Sequence, residues 1–129
     1  MVKPLIIIPT LEPNQKLLKL LADIREFDQD LPILIIDDGS GDKYQNIFYQ
    51  AENKFKTKVI HHPENKGKGV ALKTAMATIL ADYPETDFMV TIDSDGQHSY
   101  TDMMKTVELA SLHPDELVLE LDNLIETYL

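Results

Sequence analysis

The chain has 129 residues, 43% of them hydrophobic and 26% charged, and these proportions predict one folded globular domain. Its 12 basic and 22 acidic side chains give a net charge of −10, which argues against DNA or RNA as the main partner. The absence of cysteine excludes disulfides and cysteine-ligated zinc. The amino-terminal apolar run is too short for a signal peptide or a transmembrane segment, so we expect a cytoplasmic domain, free or at the periphery of a membrane.

The charge is divided unevenly along the chain. Residues 1–81 contain eleven basic and ten acidic side chains, whereas residues 82–129 contain one basic side chain, Lys105, and twelve acidic ones. A solvated acidic surface would explain this division, and so would a group of carboxylates around a cation. Only the local spacing of the acidic residues can distinguish the two.

Short apolar runs alternate with segments of helical periodicity. Four runs are rich in apolar residues, bounded by proline, aspartate or histidine, and too short for helices, and they predict strands at Pro4–Pro9, Pro32–Asp37, Lys58–His61 and Asp87–Asp93. Apolar residues at helical spacing predict a helix after each strand, over residues 17–27, 47–55, 72–80 and 103–110. Asn14 is a candidate N-cap of the first helix.

The third of these helices is expected to bury Leu72, Ala75, Met76, Ile79 and Leu80. Leu117–Leu121 is a candidate fifth strand, and residues 120–129 predict a short amphipathic helix or a loose tail.

A strand followed by a helix, repeated four times, is typical of an α/β fold with a mainly parallel sheet. Right-handed crossovers restrict such a fold to a doubly wound arrangement, with helices on both faces of the sheet. Ligands of open α/β sheets bind beyond the carboxyl ends of the strands. Polar or acidic residues follow all four predicted strands, and turns without a ligand would rarely place them at the same end of four consecutive strands.

The segment Asp93-Ser94-Asp95 is the most specific of these signals. Alternate residues of an extended segment face the same side, so Asp93, Asp95 and Gln97 would lie together. Two carboxylates about 4 Å apart repel each other by about 4 kcal/mol at an effective dielectric near 20, and a divalent cation removes that cost. Oxygen ligands favour Mg²⁺ or Mn²⁺. The alternative is a plain turn in which Asp93 is a cap.

The other strand ends are less specific. Asp37 and Asp38 can accept hydrogen bonds from a base or ribose, or can cap the next helix. The glycine- and lysine-containing segment Asn65–Lys73 can present backbone N–H groups and cations to a phosphate, or can be a solvated basic face. It matches neither a P-loop nor a dinucleotide fingerprint. The four histidines show no metal-binding spacing, and His98, which could approach the site, is interpreted as a surface residue.

Taken in order, the segments IIIPTLEPN, ILIIDDGSGD, NKGKGVALKTA and TIDSDGQHSYTDM resemble the family 2 glycosyltransferases. More narrowly, they resemble the branch that contains the dolichyl- and polyprenyl-phosphate sugar synthases. The resemblance runs from about Pro4 to about Leu119 and implies the GT-A fold, with a Rossmann-like nucleotide-binding half. It also implies sugar transfer from a UDP- or GDP-linked donor with Mg²⁺ or Mn²⁺. We therefore expect a nucleotide-sugar-binding domain over residues 1–119.

The resemblance further implies roles for particular positions of this sequence. The residues at the end of the first strand, Pro9, Thr10 and Glu12, would line the nucleotide pocket. Asp38 would bind the base, with Asp37 beside it. Lys68 and Gly69 would lie near the nucleotide. The implied donor-binding residues are Pro9, Thr10, Glu12, Asp37, Asp38, Lys68, Gly69 and Asp93, and the implied metal ligands are Asp93, Asp95 and Gln97.

The resemblance ends where the family continues into an acceptor-binding half, which in inverting members carries the catalytic base. No residue of this chain takes the place of that base, so whether the chain is active alone is an open question. Two functions remain: a glycosyltransferase domain with an unknown acceptor, or a catalytically silent nucleotide-binding module completed by a partner chain or by the missing half. A nucleotidyltransferase, which shares the α/β layout, is a third and less favoured alternative, because such enzymes prefer a glycine-rich, arginine-containing loop after the first strand and Thr10–Pro13 is not one. An uncovered sheet edge would favour a homodimer or other self-association.

Overall fold

The computed structural model describes residues 3–92, Ser94 and residues 125–128. Five strands and three helices follow one another in that part of the chain. They are β1 Pro4–Thr10, α1 Gln15–Phe27, β2 Ile33–Asp37, α2 Gln45–Phe55, β3 Lys58–His61, α3 Lys68–Asp82, β4 Phe88–Ile92 and β5 Ile125–Tyr128, with a short 3₁₀ turn, Asp42–Tyr44, before α2. No helix within these residues combines the length and the hydropathy that a bilayer crossing needs.

The strands form one sheet in the order β3-β2-β1-β4-β5. The first four of these are parallel, and β5 runs antiparallel to β4. The four parallel strands lie close to their predicted positions, because each is an apolar run with a clear boundary. The predicted α/β fold with a mainly parallel sheet is confirmed.

Helices cover both faces of the sheet. The four consecutive residues Leu5–Ile8 of β1 are fully buried, as expected for a central parallel strand. Ile6 and Ile8 pack in a core with α1 and α2, whereas Leu5 and Ile7 pack on the opposite face with α3. The α1 helix begins as predicted, with the Asn14 side chain accepting a hydrogen bond of 2.8 Å from the Lys16 amide.

The buried face of α3 agrees with the prediction at Ala75 and Ile79 but not at Met76 and Leu80. Met76 is 47% exposed and Leu80 is 80% exposed, whereas the helix meets the sheet through Ala71, Ala75 and Ile79. This helix is apolar on most sides, so periodicity alone does not define its inner face. Two of the three buried residues of α3 are alanines, whose small side chains leave room for the helix to pack against the sheet.

The carboxyl-terminal segment also differs from the prediction, because residues 125–128 form a strand instead of part of a helix or tail. Its pairing places Ile92 opposite Ile125 and Met89 opposite Tyr128. Pairing with β4 satisfies backbone groups of a segment too short to show a periodic signal. It also covers β4, which weakens the open-edge argument for self-association. The candidate helix over 103–110 and the candidate strand Leu117–Leu121 lie outside the described residues.

Arg25 joins three chain segments at the edge of the sheet where the parallel strands begin, which we call the amino edge. Its Nε donates to the carbonyl of Phe55 (2.6 Å), and its Nη1 donates to those of Leu31 (2.7 Å) and Asp28 (3.2 Å). Its Nη2 donates to the carbonyl of Lys56 (3.1 Å). Partial burial lowers the pKa of the guanidinium, against the opposing charges of Asp28 and Asp30. One cation thus binds the carbonyl ends of both α1 and α2.

Candidate functional site

A cleft of about 330 Å³ lies at the opposite edge of the sheet, where the parallel strands end, which we call the carboxyl edge. Its walls come from the end of β1, the residue after β2, the loop after β3 and the first turn of α3. The lining residues are Pro9, Thr10, Leu11, Asp38, Asn65, Gly67, Lys68 and Ala71. This is the position at which ligands of open α/β sheets bind.

Asp38 organises one wall of this cleft. Its Oδ1 accepts hydrogen bonds from the Lys66 amide (2.9 Å) and contacts His62 Nδ1 (2.9 Å), while its Oδ2 accepts from the Gly67 amide (2.8 Å). The residue is only 6% exposed, and this burial raises the pKa of its carboxyl. The hydrogen bonds from His62 and the two amides, together with the charge of His62, outweigh burial and hold the pKa below its ordinary value. Asp38 is therefore a carboxylate that fixes the loop before α3.

His62 connects this carboxylate to α3. Its Nε2 lies 2.8 Å from the Thr74 hydroxyl oxygen, and its side chain is 9% exposed. Its backbone amide donates to the Asp37 carbonyl at 2.8 Å, continuing the pairing of β3 with β2. The two ring nitrogens of this largely buried imidazole thus have partners in two separate parts of the chain, the loop after β2 and α3.

Asp37 takes a different position from Asp38. Its Oδ1 accepts from the Ser40 amide at 2.9 Å, its Oδ2 lies 2.7 Å from His61 Nδ1, and the residue is buried. The His61 ring in turn meets Phe48 of α2 edge-on, with 5.3 Å between centroids. Asp37 does not line the cleft. Its contacts instead stabilise the turn after β2.

Gly39 allows the loops after β2 and β3 to touch through their backbones. Its φ is 84°, a left-handed conformation that favours glycine. A Cβ at this position would lie 2.5 Å from the Asn65 nitrogen and even closer to the Glu64 carbonyl carbon. No larger residue fits without moving the loop that forms the cleft wall.

The first turn of α3 gives the cleft its polarity. Gly67 is the N-cap, with φ 94°, and no side chain in the described residues caps this helix. The amino end of a helix carries partial positive charge and unpaired N–H groups. Lys68, the first residue of α3, also lines the cleft. This end of the cleft therefore favours an anionic group such as a phosphate.

Ser94, two residues after the end of β4, contacts a residue that lines the cleft. The Thr10 hydroxyl donates to the Ser94 hydroxyl at 2.9 Å, and the Thr10 carbonyl accepts from the Asp38 amide, also at 2.9 Å. Ser94 is the middle residue of Asp93-Ser94-Asp95, but both aspartates and Gln97 lie outside the described residues. Among residues that the structure does describe, no three acidic or histidine side chains cluster as a metal site would require.

The predicted donor-binding residues do not all meet in the cleft. Pro9, Thr10, Asp38 and Lys68 line it, whereas Gly69 lies in the first turn of α3 without lining it. Glu12 is exposed and outside the lining, with a left-handed φ of 51° and its amide donating to the Ser40 hydroxyl at 2.8 Å.

Sequence reasoning missed His62 and Thr74. A signal existed, because the pairs Asp37-Asp38 and His61-His62 come at the ends of neighbouring parallel strands, with Asp37 opposite His61.

The chain is similar to known proteins both in sequence pattern and in fold. The family model described as "Glycosyl transferase family 2" matches residues 5–119. The crystal structure of S. aureus TarS 1–349 superposes with a TM-score of 0.63 at 24% identity, over 92% of this chain and 35% of that one. The structure of TarS 1–349 in complex with UDP-GlcNAc gives 0.63 at 25% identity, over 92% and 34%. This chain thus spans about a third of the TarS chains it matches.

A 4-diphosphocytidyl-2C-methyl-D-erythritol synthase structure also superposes, with a TM-score of 0.62 over 86% of this chain and 55% of that one. At 9% identity this likeness shows a shared fold alone. No curated protein matches the sequence significantly.

Proposed function

The chain belongs to glycosyltransferase family 2 and has the nucleotide-sugar-binding fold of that family, and on this premise we propose that its cleft binds the nucleotide of a UDP-linked sugar. UDP is chosen over GDP because the TarS relative is a complex with UDP-GlcNAc. The narrower likeness to the polyprenyl-phosphate sugar synthases stays a prediction, and it makes a polyprenyl phosphate the first acceptor to test.

The observation that carries this proposal is the set of side chains around the cleft. Asp38 places a carboxylate acceptor in the wall, where the ring N–H of a base can donate to it. Lys68 and the amino end of α3, which no described side chain caps, offer positive charge to a diphosphate. One cleft thus presents a base acceptor and a phosphate-binding end on consecutive strand ends, as a nucleoside diphosphate requires.

A divalent cation is part of the same proposal. Asp93, Asp95 and Gln97 would hold Mg²⁺ or Mn²⁺, which would offset the negative charge of the diphosphate and of the carboxylates. The contact between Thr10 and Ser94 supports this position for the cation, because it brings the middle of the Asp-x-Asp segment to a residue that lines the cleft.

Calorimetric titration tests both parts of the proposal. We expect UDP to bind in the presence of Mn²⁺ and more tightly than GDP, and we expect EDTA to weaken the binding. Asp95→Ala should abolish the effect of Mn²⁺, whereas Asp30→Ala, an exposed change at the amino edge, should leave it intact. A folded chain that binds neither nucleotide would contradict the proposal, and an Asp95→Ala variant with unchanged affinity would remove the metal site from it.

Turnover separates the enzyme from a catalytically silent binding module. Incubation with UDP-GlcNAc and a polyprenyl phosphate, with detection of released UDP and of glycosylated lipid, measures both hydrolysis and transfer. Release of UDP or formation of product supports the enzyme. Tight binding of UDP with neither reaction supports the module.

A further inference from the structure

We propose that His62 is a positioning residue that sets the wall of the cleft by joining Asp38 to Thr74. The proposal deepens the proposed function, on which it rests for the identity of the ligand. His62 is not among the residues that line the cleft, so it acts through its neighbours.

The hydrogen-bond arrangement supports this role. A carboxylate only accepts hydrogen bonds, so the hydrogen shared between His62 and Asp38 must be on Nδ1. The Nδ1 and Oδ1 atoms are 2.9 Å apart, and the opposite ring nitrogen meets the Thr74 hydroxyl at 2.8 Å. A hydroxyl can donate or accept, so this second contact persists whether or not the ring is charged. His62 thereby ties the Asp38 carboxylate to the body of α3.

The position of Asp38 decides the position of the cleft wall. Its two oxygens hold the amides of Lys66 and Gly67, and Gly67 is the N-cap of α3. The Gly67 amide also meets Asn65 Oδ1 at 3.1 Å, so the Lys66 amide depends more directly on Asp38. A carboxylate offers about four acceptor sites, of which three are used here, two on Oδ1 and one on Oδ2. By occupying a site on Oδ1, His62 leaves Oδ2 as the oxygen with unused acceptor capacity for a ligand. Without His62, only the two amides orient the Asp38 carboxylate, so we expect both the loop and that acceptor to be less well fixed.

Four variants separate the two contacts of His62. His62→Phe keeps the ring volume and removes both hydrogen bonds. His62→Asn keeps a donor near the position of Nδ1 and removes only the contact with Thr74. Thr74→Val removes the same contact from the other side. Thr78→Val is the matched control, because the Thr78 hydroxyl donates only within α3, to the Thr74 carbonyl at 2.9 Å.

UDP titration with Mn²⁺ gives the functional readout. Loss of a hydrogen bond to a charged group should raise the Kd for His62→Phe by about tenfold or more. We expect His62→Asn to recover most of the affinity, Thr74→Val to weaken it by a few-fold, and Thr78→Val to leave it unchanged. A folded His62→Phe variant with wild-type affinity would overturn the proposal, and so would equal losses for Thr74→Val and Thr78→Val.

Two NMR measurements test the role of His62 without any nucleotide, so a failure of the proposed function is recognised separately. The ¹⁵N spectrum of the imidazole should show a protonated Nδ1, and an unprotonated Nδ1 would overturn the proposal. Hydrogen exchange at the Lys66 and Gly67 amides should become faster in His62→Phe and not in Thr78→Val. Unchanged protection of these two amides in His62→Phe would equally refute the role of His62.

Discussion

At each of the two edges of the sheet, a charged side chain binds backbone groups of several segments, and the two side chains carry opposite charges. At the amino edge, the Arg25 guanidinium collects four carbonyl groups near the ends of α1 and α2. At the carboxyl edge, the Asp38 carboxylate collects two amides of the loop before α3 and the His62 ring. Each residue binds several backbone groups, and each joins segments that are distant in sequence.

The difference in sign follows from the direction of the chain. Parallel strands connected by helices place all helix carboxyl ends at one edge of the sheet and all helix amino ends at the other. Carbonyl groups therefore lie together at the amino edge, where a cation can bind them. The carboxyl edge presents N–H groups. Asp38 accepts from two of them, and no side chain of the described residues caps the first turn of α3. The first turn of α3, beside Asp38, can therefore bind an anionic ligand, and changes at the two edges should separate stability from binding.

The largest effect is expected at Gly39. Replacement by alanine adds the strain of a left-handed residue and a steric clash with the backbone of Glu64 and Asn65, together a loss of about 4 kcal/mol in the free energy of unfolding. Gly41→Ala is the matched control, since Gly41 has φ 91° but no atom within 4 Å of the added methyl group. Urea denaturation of both variants measures the difference. Equal losses would show that the contact between the two loops contributes nothing.

A loss of about 3 kcal/mol is expected for Arg25→Met, because four carbonyls lose a charged donor. Arg25→Lys should recover less than half of this, since one ammonium group cannot reproduce the planar set of donors. Urea denaturation gives these values, and UDP titration below the unfolding transition should give wild-type affinity for both variants. A large drop in UDP affinity with intact folding would contradict the separation of the two edges.

The smallest effect is expected for Asp38→Asn, and it depends on pH. Because the folded chain holds the pKa of Asp38 below its ordinary value of 3.8, the stability from the carboxylate is present above that value. It is lost as the pH falls through the folded-state pKa. The variant should be less stable than wild type by about 2 kcal/mol at pH 7, and the gap should close towards pH 2.

Asp82→Asn is the control for this pH dependence, since it removes a carboxylate from an exposed ion pair with Lys58 and should change little. Urea denaturation between pH 2 and pH 7 measures both variants. A gap between wild type and Asp38→Asn that is independent of pH would contradict a role for the carboxylate charge.

The sequence predicted those parts of the fold whose signals are local. The runs around Ile7 and Ile35 are apolar and have clear boundaries, and Asn14 lies at a recognisable cap position. The sequence therefore predicted these two strands and the start of α1 correctly. The sequence did not predict which face of α3 is buried, because Met76 and Leu80 are as apolar as the residues that pack against the sheet. The β5 strand was also missed, since four residues carry no period and their pairing with β4 is a contact between distant parts of the chain.

The candidate site divides in the same way. Its position at the carboxyl edge follows from the order of strands and helices, and Pro9, Thr10, Asp38 and Lys68 line the cleft there. Asp37 and Asp38 are adjacent in sequence but have different roles, because Asp37 accepts from the Ser40 amide and Asp38 from the Gly67 amide. The sequence alone does not predict this difference.

By itself, the sequence determined the α/β class, the edge that carries the polar residues and the type of residue found there. Apolar runs and glycine-containing turns act over a few residues and can be read directly. Only the tertiary structure decided that His62 joins Asp38 to Thr74 and that Arg25 binds the ends of two helices. These contacts depend on the pairing of β2 with β3 and on the packing of helices against the sheet. Hydrogen bonds over such distances along the chain leave no periodic trace in the sequence.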